Sequence, residues 1–162
     1  MSDVVFACEV RQFSNGDYVL IGYDLVRGPH AGYWISSRMV KVSKDAFDFV
    51  FLDAFKNIFK STVVIGHDEA DEKVLMRRWL KFCGFPSERR LDDASRVIFA
   101  IGKNDGFVDL VPARFEYGQG FAHMVERSER LLLNDEGFLD KFKSLMLISV
   151  GGGDFSDCIQ NI

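Results

Sequence analysis

The stretch from Val4 to Val26, VVFACEVRQFSNGDYVLIGYDLV, constrains the chain more than any other, because it reads as strand, tight turn and strand with a carboxylate inside the first strand. Val4, Val5, Phe6, Cys8 and Val10 form an apolar run interrupted by Glu9. Asn15-Gly16, followed by Asp17, supplies positive φ at little cost, and Tyr18 to Val26 is again β-rich. A two-stranded ribbon is predicted. An acid in a buried-looking strand is costly unless a cation or hydrogen-bond donors meet it, so Glu9 is either a paired core acid or a group for metal binding or proton transfer. Taken alone, the residue favours the paired core acid.

A chain of 162 residues with 48% hydrophobic content can build one ordinary core. No window of about 18 apolar residues occurs and Met1-Ser2-Asp3 lacks a basic leader, so the expectation is an intracellular protein, cytoplasmic or nuclear, without a membrane span. Cys8, Cys83 and Cys158 are scattered and form no CxxC pair, which indicates neither a disulfide framework nor a zinc site. The net charge of −4 argues against wide, nonspecific wrapping of nucleic acid, though Arg77, Arg78, Arg89 and Arg90 could form a local phosphate rim. Solvated faces are the simpler reading of those arginines.

Further along, Gly32 to Val42 reads as a third antiparallel strand, and Ser43 as the cap of a helix whose core stripe is Phe47, Val50, Phe51, Ala54, Phe55 and Ile58. Thr62 to Gly66 has the all-apolar look of a strand buried on both faces, and it leads into His67, Asp68, Glu69, Asp71 and Glu72 at the start of a helix running through Phe82. Gly84 and Pro86 end that helix. From Glu88 to Gly102 the pattern predicts a short strand through Leu91, a capping Asp92 or Asp93, and a helix containing Val97, Ile98 and Ile101. Beyond Gly106 the segments VDLVPARF, FAHMVERSERLLL and EGFLDKFKSLMLI read as mostly helical. Residues 1–150 are expected to be the domain, and 151–162, opened by Gly151-Gly152-Gly153, a linker stub or frayed tail.

That order of elements resembles the ribonuclease-H-like fold of the DEDDh 3′–5′ exonucleases. The first family motif, Asp-x-Glu, stands here as Ala7-Cys8-Glu9. The second is matched by Gly66-His67-Asp68 with Asp71 as the acid, preferred over Glu72 because Val74 and Leu75 then take the apolar positions that follow. Asp93-Ala94 is similar to the structural Asp-Thr, and His123 to Ser128 matches His-x-x-x-x-Asp with serine at the end. The resemblance implies an α/β domain with a mixed five-stranded sheet, three antiparallel strands and then two more, flanked by helices. It also implies Glu9 and Asp71 as ligands for Mg²⁺ or Mn²⁺, and His123 as the base that takes a proton from the attacking water.

The departures weigh against activity. Four carboxylates hold two cations about 4 Å apart in active members, and here Ala7 and Ser128 stand where two of those acids belong. Ser128 favours natural loss over an engineered Asp→Ala change at position 7. The leading reading is an inactive exonuclease-like domain kept for binding single-stranded RNA or DNA or a protein partner. Two others compete: an active metal-dependent exonuclease with an altered first motif, and a structural module that self-associates as a homodimer.

Overall fold

The computed structural model describes residues 5–28, 31–66 and 71–153. Strands β1 (Phe6–Phe13), β2 (Tyr18–Arg27) and β3 (Gly32–Val42) form the antiparallel start that the sequence predicts. The turn joining β1 to β2 is built as its residues dictate. Gly16 takes φ +94°, and the Asn15 side chain accepts from the Asp17 amide at 2.9 Å. α1 (Phe47–Phe59) follows a short 3-10 turn over Lys44–Ala46, and the Ser43 hydroxyl caps that turn by accepting from the Asp45 amide at 3.2 Å. Then come β4 (Val64–Gly66), α2 (Glu72–Cys83), α3 (Glu88–Asp93), β5 (Ser95–Gly102), β6 (Phe107–Glu116), β7 (Gly120–His123), β8 (Glu129–Leu132) and α4 (Phe138–Ile148).

The sheet runs β3-β2-β1-β5-β6-β7, with β4 beside β2 and β8 beside β6. This overturns the expected ribonuclease-H-like mixed sheet. In that arrangement the strand after the first helix should lie parallel within the sheet, whereas here β5 occupies the place beside β1 and runs antiparallel to it from Phe6↔Gly102 to Phe13↔Ser95. The strand after α1 is only the three-residue β4, parallel to the far half of β2. It is half-exposed rather than buried on both faces. A local cause is visible at Ala7, where β1 and β2 part: the Thr62 hydroxyl takes over the Ala7 backbone, accepting from its amide at 3.0 Å and donating to its carbonyl at 3.2 Å.

Two further readings are corrected. The segment from Glu88 to Gly102 holds helix then strand, the reverse of the expected order, because Ser87 caps α3 and the run Val97, Ile98 and Ala100 is buried as a strand. The stretch beyond Gly106 is β6, β7 and β8 before α4, so only its last segment is helical. Pro112 explains the first of these. A proline inside a helix breaks it, but here it stands at the last register pair with β5, and its carbonyl accepts from the Met124 amide at 2.8 Å.

Alternation along the strands divides the interior into two cores. On one side Cys8, Val10, Tyr18 and Leu20 face α1 and α4 through Phe47, Phe51, Phe55, Phe138 and Phe142. On the other, Val19 and Ile21 pack with Trp79 of α2 and Leu91 of α3. Glu9 and Arg11 belong to this second face. Residues 150–152 do not begin a linker: the Val150 amide donates to the Ala113 carbonyl at 3.0 Å and the Gly152 amide to the Ser95 carbonyl at 3.0 Å. The remainder of the expected tail lies outside the described residues.

Candidate functional site

Glu9 is 4% exposed, and its carboxylate is fully engaged. Arg11, two residues along the same face of β1, donates to it from Nε at 2.6 Å, and the Tyr23 hydroxyl donates at 2.8 Å. The Arg11 guanidinium reaches on to Asp92 at the end of α3, 2.6 Å away, and to the Ser95 hydroxyl at 3.3 Å. Phe121 of β7 covers it, 5.3 Å from ring centre to guanidinium carbon. One buried arginine thus joins β1, α3, β5 and β7.

The electrostatics follow from burial against pairing. Burial alone would push the Arg11 guanidinium down, but Glu9 and Asp92 outweigh it and hold its pKa above the ordinary value. The Tyr23 hydroxyl is held well above its ordinary range by burial and then by the Glu9 charge. Burial raises Asp92 in spite of Arg11, and raises Glu88, where Asp92 adds to the effect. Burial also pushes the Cys8 thiol up, and pushes Cys83 up to about 12, so neither serves as a thiolate nucleophile.

Beside this cluster lies a cleft of about 420 Å³. Ala7 and Tyr23 form part of its floor, Phe99 and His123 one wall, and Trp34, Ile35 and Met76 the opposite side, with Tyr33 and Glu72 also lining it. The sequence-selected residues therefore part company. Ala7 and His123 line the cleft, His123 with its ring 4.3 Å from that of Phe99. Glu9 lies behind Tyr23 and does not line it. Asp71 is the N-cap of α2, its Oδ1 accepting from the Val74 amide at 3.1 Å, and it is Glu72, the alternative second acid, that lines the cleft. Ser128 stands at the end of a 3-10 turn between β7 and β8, its hydroxyl donating to the Val125 carbonyl at 2.7 Å. His30, His67, Asp68 and Glu69 lie outside the described residues.

These positions do not fit a pair of divalent cations. Ala7 offers no donor, Glu9 is occupied by Arg11 and Tyr23, and Asp71 is bound to backbone. Among the described residues no group of three or more His, Cys, Asp and Glu is placed to hold a metal ion. The roles implied for Glu9, Asp71 and His123 came with a fold that this chain does not have. Arg11, Tyr23, Asp92 and Phe99 are what sequence reasoning missed. A signal for Arg11 was present: it shares a strand face with Glu9 by the two-residue period, which makes it the nearest cation able to pair with that acid.

No family model matches the chain, and no curated protein does. Solved structures do. A protein of unknown function, NMB0488, from Neisseria meningitidis matches with a TM-score of 0.68 at 8% identity, over 91% of this chain and 96% of that one. A chain of the CdiA-CT/CdiI toxin and immunity complex from Yersinia pseudotuberculosis matches with a TM-score of 0.65 at 12% identity, over 90% of this chain and 98% of its own. The likeness is one of fold. Among the described residues no helix is long and apolar enough to cross a membrane.

Proposed function

We propose that this chain is a protein-binding domain that acts as the protective member of a toxin and immunity type of pair, with the aromatic cleft as part of its docking surface. The observation that carries this reading is the state of the polar groups. The acids nearest the cleft floor are spent on internal contacts, which leaves walls of Tyr33, Trp34, Phe99 and His123 suited to contact rather than to hydrolysis. A toxin would need a damaging activity, and the described residues offer neither a metal-ligand group nor a low-pKa thiol. The full-length likeness to a chain of a toxin and immunity complex supports a protein partner.

The test is capture of the tagged chain with its bound protein from its native cell, followed by calorimetry of the purified pair and growth of cells expressing the partner alone or with this chain. A one-to-one complex whose partner arrests growth, with the arrest relieved by this chain, is expected. Mg²⁺-dependent shortening of a labelled oligonucleotide by the purified chain, lost in Glu9→Gln, would instead restore the exonuclease reading and overturn this one.

A further inference from the structure

The walls of the cleft and its charge are complementary to one kind of side chain. Tyr23, Tyr33, Trp34, Phe99 and His123 supply ring faces and edges, and among the described lining residues Glu72 is the one carboxylate. It forms no ion pair among the described residues. Behind the floor, Glu9 and Asp92 are two carboxyl groups sharing Arg11, with the Tyr23 hydroxyl also donating to Glu9. Glu88 extends the same field along α3. Its pKa is raised by burial and then by the charges of Asp92, Glu9 and Glu72, against the opposing effect of Arg11. Lys73 and Arg77 lie farther along, lining with Glu72 and Glu88 a neighbouring depression, and they do not line the aromatic cleft.

The molecule already pairs a cation with both ring and carboxylate: Arg11 lies over Phe121 while bound to Glu9 and Asp92, and Lys143 lies 5.0 Å over Phe47 while bound to Asp48. At the surface Arg89 lies 5.7 Å over Tyr117 and donates to its hydroxyl at 3.1 Å. A guanidinium is planar, weakly hydrated for a cation and able to stack on rings while forking onto a carboxylate. An ammonium does the second but stacks less well.

Resting on the protein-binding reading, we propose that the partner inserts an arginine side chain into this cleft, stacked against its aromatic walls and paired with Glu72. The site is an arginine-recognition pocket, and Glu72 is its specificity-determining residue.

The experiment titrates the ¹⁵N-labelled chain with N-acetyl-arginine methylamide and, in parallel, with the citrulline and lysine counterparts. Amide shifts at Tyr33, Trp34, Phe99 and His123 that saturate in the millimolar range with arginine are expected. The neutral citrulline probe, the same length and nearly the same shape, should bind about tenfold more weakly, as should arginine to Glu72→Gln. Citrulline binding as well as arginine, a lysine probe binding better than both, or arginine leaving the cleft amides unmoved would each overturn the proposal. A second arm separates its failure from that of the protein-binding reading. If the captured partner binds Glu72→Gln and Glu72→Lys as tightly as the natural chain, the arginine pocket falls while protein binding stands; if no partner is captured yet the arginine probe discriminates as described, the reverse holds.

Discussion

At the scale of single residues, Arg11 is the point on which two buried acids depend. Removing one partner of a buried charge set leaves the others uncompensated, at a cost of about 3–5 kcal/mol. Arg11→Met should therefore lower the urea-unfolding free energy by about that much, and Arg11→Met combined with Glu9→Gln should recover part of the loss. A second prediction concerns pH. Glu88 and Asp92 have folded-state pKa values raised above their ordinary values of 4.5 and 3.8. In the window above those values the native state binds more protons than the unfolded one, so the stability these groups contribute is present below their ordinary pKa and is lost as pH rises through the folded values. Thermal melts across the acid range should show the natural chain losing stability as pH rises through this window. In Glu88→Gln part of that slope should disappear and the melting temperature at neutral pH should rise.

At the scale of elements, the helix caps separate structure from chemistry. Asp71 holds the first turn of α2 through the Val74 amide, so Asp71→Ala should cost about 1 kcal/mol in chemical denaturation and leave the arginine probe's affinity unchanged. The docking of residues 150–152 is tighter. A Cβ at Gly152 would stand 2.2 Å from the Asp92 carbonyl oxygen and 2.4 Å from the Asp93 Cα, both of them backbone. Gly152→Ala should open this corner, seen as faster amide exchange at Gly152 and through α3, which ends in Asp92 and Asp93.

The order of helix and strand between Glu88 and Gly102 was within reach of the sequence, since Pro86-Ser87-Glu88 is a helix-start signal followed by a β-branched run. An unbroken apolar stretch does not by itself distinguish a buried strand from a buried helix, and β5 is an interior strand whose Ile98 and Ala100 enter the aromatic core while Ser95 meets Arg11 and α3 on the other face. The β6 to β8 segment misleads for a related reason. Its glycines, Gly118 and Gly120 at φ +79° and +82°, are hairpin punctuation that a helical reading takes for interruptions.

At the scale of the whole molecule, stability rests on two unequal cores on either side of one sheet. The larger is aromatic: Phe51 lies 4.6 Å from Phe142, and Phe55 lies 5.4 Å from Phe138, which binds α1 to α4. Phe55→Ala should cost about 3–5 kcal/mol in equilibrium unfolding, since it deletes a fully buried ring between two helices. Glu72→Gln, on the exposed start of α2, should leave the same measurement within about 0.5 kcal/mol of the natural chain.

What the sequence determined was local: the Asn15-Gly16 ribbon, the third strand, the α1 stripe, of which Phe47, Phe51, Phe55 and Ile58 are buried while Val50 is exposed, and the capped α2 are all set by interactions within a few residues. Which strand lies beside β1 was decided only in the tertiary structure. Pairing of β1 with β5 joins segments more than half the chain apart and depends on Thr62 closing the gap at Ala7, on Arg11 joining Glu9 to Asp92, and on two cores filling together. Glu9 shows the division most plainly. Its sequence context announced an acid needing a partner, with Arg11 on the same strand face, but only the fold could add the Tyr23 hydroxyl and carry Arg11 on to Asp92, which makes the acid part of an internal ion-pair network.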